Sequence, residues 1–119
     1  MPLSLTDLEH FTGSYHLYRH ALIRKVHYTD GVQFFAIEGG AYWLVDEIAL
    51  AQHFNRKVSA EEFQVWTLTV DTEKRTAVLM CDDGNNNVVL RKDIPFTDFP
   101  LHQIKLYFTN DTICLPSEN

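Results

Sequence analysis

No apolar run in this chain reaches the roughly 18–20 residues that a helix needs to cross a bilayer. The opening residues, Met1-Pro2-Leu3-Ser4-Leu5-Thr6-Asp7, lack the basic start and apolar centre of a signal peptide, so the cytoplasm is the expected compartment. Basic residues are few: 10 Lys and Arg stand against 16 Asp and Glu, a formal charge of −6. That balance excludes a sequence-independent nucleic-acid binder, which needs cations to displace counterions. It also gives no basis for holding the chain to an anionic membrane. Only two cysteines occur, Cys81 and Cys114, in no C-x-x-C motif. They read as reduced core thiols and exclude a disulfide framework.

Catalytic and cofactor signatures are missing too. Ser14, Ser59 and Ser117 lie in no G-x-S-x-G context, and neither cysteine has the setting of an activated thiolate. Gly39-Gly40 is followed by no Lys-Ser or Lys-Thr, so it reads as a tight joint and not a phosphate cradle. Six histidines (His10, His16, His20, His27, His53 and His102) match no zinc pattern. His16 and His20 would share a strand face with Tyr18, too far apart to chelate one ion unaided. The run 82–87 lacks the ligand order and closing Glu of an EF-hand and reads as a hairpin loop. No metal and no cofactor is expected.

What is present is ordinary globular composition, 45% apolar and 22% charged, in 119 residues. One domain over 1–119 is expected, large enough to bury a core unaided. Thr6-Asp7-Leu8-Glu9 has the capping-box pattern and predicts a short helix to about Phe11. Ser14 to His20 alternates loosely as a strand, and Ile23 to Tyr28 reads as an edge strand. Thr29 or Asp30 caps a helix over Asp30 to Glu38, with Gly39 supplying a left-handed end. A second helix runs to about Phe54, where Asn55 terminates it. Beyond Ser59 the period becomes two. Strands are predicted over Phe63–Val70, Thr76–Cys81, Val88–Ile94, Ile104–Phe108 and Thr112–Leu115. Helices first and strands later imply an α+β fold: N-terminal helices packed on one face of an antiparallel meander of about five strands. Val65, Thr67, Thr69, Arg91, Asp93, Lys105 and Tyr107 form the other, water-facing side.

The helix of residues 41–54 is apolar on two sides. At 100° per residue, Ala41, Leu44, Val45, Ile48, Ala49 and Ala51 form an arc for the sheet. Trp43, Leu50 and Phe54 form a second stripe. It either packs under a neighbouring helix or serves as an interface with a partner. Tyr42, Asp46 and His53 share one edge, where a carboxylate beside a histidine could orient the imidazole, or where a solvated helix face is all there is.

The chain resembles a family of short uncharacterised proteins of bacteria, phages and plasmids. The residues that carry the resemblance are Phe11-Thr12-Gly13, Tyr18-Arg19-His20, Tyr28-Thr29-Asp30-Gly31-Val32 and Gly40-Ala41-Tyr42-Trp43-Leu44-Val45-Asp46-Glu47-Ile48-Ala49. Further along they are Phe63-Gln64-Val65-Trp66-Thr67-Leu68, Thr97-Asp98-Phe99-Pro100-Leu101, Ile104-Lys105-Leu106-Tyr107 and Leu115-Pro116-Ser117-Glu118. The resemblance implies a free-standing domain and a mobile-element setting, and brings no catalytic residue or ligand with it.

Two classes of function stand open. The first is a non-enzymatic cytoplasmic interaction protein, a homodimer or a binder of another protein, touching through Trp43, Leu50 and Phe54 or through a sheet edge. The second is a small-molecule binder or enzyme with a pocket between the helices and the N-terminal strand. Tyr18, Arg19, His20, Tyr42, Asp46 and His53 would line it, with Arg19 clamping an anion. An acidic mimic of nucleic acid is weaker, since acids and bases are interleaved.

Overall fold

The structure is a computed structural model and describes residues 16–118. The helix expected over residues 6–11 lies outside them. The elements are β1 (Leu17–Arg19), β2 (His27–Thr29), α1 (Asp30–Glu38), α2 (Tyr42–Phe54), α3 (Arg56–Ser59), β3 (Phe63–Asp71), β4 (Thr76–Asp82), β5 (Val88–Ile94), β6 (Gln103–Thr109) and β7 (Thr112–Cys114), followed by a 3₁₀ turn at Pro116–Glu118.

Helices α1 and α2 arise where the sequence places them, with differences at their ends. The Thr29 hydroxyl caps α1 by accepting from the Val32 amide. The left-handed residue is Gly40 (φ 60°), while Gly39 stays right-handed, so the expectation placed on Gly39 shifts by one residue. Gly40 N–H bonds to Ile37 and Ala41 N–H to Ala36, the paired closure that leaves the position between as the natural seat of a glycine. Asn55 ends α2 and starts α3, its side chain accepting from the amides of Lys57 and Val58. The short α3 was not foreseen.

The sheet differs more. Among the described residues, seven strands form one mixed sheet in the order β1-β2-β7-β6-β3-β4-β5. The expected five-strand meander is corrected in two ways. After β5 the chain returns across the sheet to place β6 beside β3, so β3 to β6 form a Greek key in place of a meander. The connector, residues 95–102, bridges this return: Thr97 donates its amide to Arg75 O, and Phe99 is buried edge-on against Phe35 at 5.5 Å. In addition, β2 pairs in parallel with β7, and β1 pairs with β2, so the two early strands join the same sheet. Strand β2, expected at an edge, is internal, and β1 is the edge among the described residues.

One sheet face carries Gln64, Trp66, Leu68, Val70, Ala77, Leu79, Cys81, Ile104, Leu106 and Phe108, all buried. Helices α1 and α2 cover it through Val32, Phe35, Ala36, Leu44, Val45, Ile48 and Ala49. The opposite face faces water as expected: Thr69, Arg91, Asp93 and Lys105 are exposed, and Val65, Thr67 and Tyr107 are half-buried. A cluster of polar side chains lies inside the core. The Gln52 and Gln64 amides bond reciprocally at 2.7 and 2.9 Å, and the Trp66 indole N–H donates to Gln64 Oε1 at 3.0 Å. Gln64 also donates to the carbonyls of Val58 and Glu61, which fastens α3 and the loop after it to β3.

Candidate functional site

The strand alternation that puts Tyr18 on the helix-covered side of β1 also brings Tyr28 opposite it on β2. Their rings stack with centroids 5.6 Å apart and planes 23° from parallel. The first turn of α2 adds Tyr42, which approaches the Tyr28 hydroxyl. One turn later comes Asp46, and Asp30 at the start of α1 approaches Tyr18 from the other side. His16 stands 3.6 Å from Asp30 through Nδ1. Three phenols and two carboxylates thus share one corner of the molecule. Partial desolvation, then the bond to Asp30 and its charge, hold the Tyr18 phenol above its ordinary range. Desolvation, with Tyr42 and Asp46 nearby, does the same to Tyr28. Both hydroxyls therefore keep their protons across the neutral range.

His20 sits beneath this corner and is 4% exposed. Its Nδ1 accepts from the backbone amides of Leu22 and Ile23, at 3.2 and 3.0 Å. The ring proton therefore sits on Nε2, which donates to Asp46 Oδ1 at 2.7 Å. The histidine that Asp46 orients is thus His20, and both ring nitrogens are occupied. The pair pins the loop 20–26 to α2 and has no nitrogen left to take a proton from a substrate.

Of the residues predicted to line a pocket, Tyr18, His20, Tyr42 and Asp46 come together. Arg19 does not: the alternation of β1 turns it to the other sheet face, opposite His27, where it is exposed. His53 is exposed at the far end of α2, its ring edge-on to Phe54 at 4.5 Å. The anion clamp has lost its guanidinium, and the corner that remains is acidic. Tyr28 and Asp30 belong to it and were not named for it. The sequence places Tyr28 in a segment that reads as an edge strand and Asp30 as a helix cap within a block that carries the family resemblance; the Tyr18–Tyr28 pairing is a register between strands that no local period reveals.

The stripe on α2 is graded. Trp43 is half-buried and packs against the core, Leu50 is half-buried, and Phe54 is 75% exposed. Cys81 and Cys114 are free and buried. Burial raises their thiols to about 12 and about 11, which leaves no thiolate for nucleophilic chemistry at neutral pH. Among the described residues, no three His, Cys, Asp or Glu side chains converge as a metal site would require, and no helix is long and apolar enough to cross a membrane.

A family model described as "Family of unknown function (DUF6876)" matches residues 3–119, nearly the whole chain. The chain belongs to this family. Comparison with curated proteins gave no match, and comparison with solved structures gave none. The DUF6876 assignment fixes the kinship of the fold and leaves its function to be argued from the geometry above.

Proposed function

We propose that this DUF6876 protein is a non-enzymatic cytoplasmic binding protein that works as a homodimer, with Trp43, Leu50 and Phe54 on α2 as the contact. The observation that carries the reading is Phe54, an aromatic side chain left 75% exposed at the end of a stripe whose other members are half-buried. A large apolar ring in water is a candidate anchor for a partner surface. The occupied nitrogens of His20 and the raised thiols of Cys81 and Cys114 favour binding over catalysis.

The sheet edges favour the helix as the contact. Strand β1 is only three residues long. Strand β5 carries Arg91, Lys92 and Asp93, and Lys92 points to the helix side, where Nζ meets Glu47 at 2.7 Å. Short edges and inward charges discourage strand addition. Two copies of α2 related by a twofold axis near Leu50 bring each Trp43 toward the partner helix's far end, where Phe54 lies, a self-complementary contact. The mobile-element setting implied by the resemblance extends this to an accessory role on a host protein. Sedimentation at high micromolar concentration is expected to show a dimer, and Phe54→Glu a monomer of unchanged circular dichroism. A wild-type monomer under those conditions sinks the reading.

A further inference from the structure

We infer that the corner formed by Tyr18, Tyr28, Tyr42 and Asp46 is a binding site for a small organic ammonium cation. The reasoning starts from charge. The chain carries −6 overall, and the corner gathers Asp30 and Asp46 with no lysine or arginine placed in it among the described residues. The one guanidinium on the adjoining strand, Arg19, is on the other sheet face. An aromatic face attracts a cation through its quadrupole, and a phenol that stays protonated keeps that face neutral and available. The upward shifts of Tyr18 and Tyr28 fit a corner where further negative charge is resisted.

The parts differ in what they can give. The Tyr18–Tyr28 stack is set in paired strands. Tyr42 is 43% exposed and can present its ring to a ligand. Asp46 is held by His20 through Oδ1, with its side chain 53% exposed, so its charge is both fixed in place and open to solvent. Bonding between Asp46 and a neutral imidazole leaves the full carboxylate charge uncompensated, unlike an ion pair. The positive end of the α2 dipole, about half a charge, opposes a cation here. The full charge of the Asp46 carboxylate exceeds that half charge. His16 beside Asp30 is the internal competitor when it is protonated.

A quaternary ammonium suits this corner better than a metal ion, since phenol faces and one open carboxylate supply too few oxygens for a hard cation. The probe is choline, set against its neutral isostere 3,3-dimethylbutan-1-ol, with tyrosine ring signals followed by NMR on the whole chain. A saturable response to choline, at least about tenfold weaker for the neutral isostere, is expected. Asp46→Asn keeps an oxygen that can accept from His20 and so preserves the fold while removing the charge. It is expected to weaken choline about tenfold, whereas Tyr42→Phe keeps binding and Tyr42→Ala weakens it. Equal responses to the two probes, or an Asp46→Asn chain that binds choline unchanged, overturn the inference. The readout is independent of self-association, because Phe54→Glu is expected to leave the choline response intact.

Discussion

At the scale of single residues, the informative side chains are polar ones whose every bond is accounted for. Gln64 is fully buried and serves Gln52, Trp66 and two backbone carbonyls at once. Removing one partner of such a group leaves the others without compensation, which costs more than the bond itself contributed. Gln64→Leu is expected to destabilise the protein by about 2–4 kcal/mol in urea denaturation, and Gln52→Leu added to it by less than the sum of the two single changes. Additive losses would show that the amides act separately. Nothing in the sequence marks these glutamines: Gln52 sits at the centre of the buried face of α2, where the helical pattern calls for an apolar residue. His20 is similar. A neighbouring carboxylate was legible as its sort of partner, but that Asp46 bonds His20 and not His53 depends on how β1 lies against α2.

At the scale of elements, the α1 amino end shows how distant segments are fastened. Glu118 accepts from the Thr29 hydroxyl at 2.6 Å and from the amides of Leu115 and Gly31 at 3.1 and 3.2 Å. A carboxylate at this end of a helix also meets the positive end of its dipole. A β-carbon on Gly31 would lie 2.6 Å from both Glu118 Oε1 and Leu115 Cδ1. Gly31→Ala is therefore expected to expel the Glu118 side chain and cost about 1–3 kcal/mol. Thermal denaturation checks this, and the penalty should shrink when Glu118→Ala is already present. Two of the quoted sequence blocks, Thr29-Asp30-Gly31-Val32 and Leu115-Pro116-Ser117-Glu118, thus form one physical unit. The long elements were legible because periodicity is local: α1, α2 and β3 to β6 fall close to their expected limits. Strands of three residues such as β1 and β2 carry too few positions to show a period. The parallel pairing of β2 with β7 and the return of β6 to β3 are long-range choices that no local pattern encodes.

At the scale of the whole molecule, pH sets a limit on stability through the two thiols. In the folded chain Cys81 and Cys114 hold their protons to about 12 and about 11, against an ordinary value of 9.0. The unfolded chain therefore loses these protons first as pH rises. Their contribution to stability is complete below about pH 9 and is lost progressively between there and about pH 12. Urea midpoints are expected to fall across that window, and Cys81→Ser with Cys114→Ser to flatten the fall. In native protein at pH 8, a thiol reagent such as Ellman's should find neither cysteine. The parallel β2–β7 pair has a consequence for biosynthesis. Among the described residues, strands β1 and β2 join the rest of the sheet through β7, and α1 is fastened by Glu118. The earliest described strands must wait, unpaired with the main sheet, until β7 clears the ribosome. A chain halted before residue 112 would lack the strand that joins its first hairpin to the central Greek key, which makes the arrival of β7 the step that commits this fold.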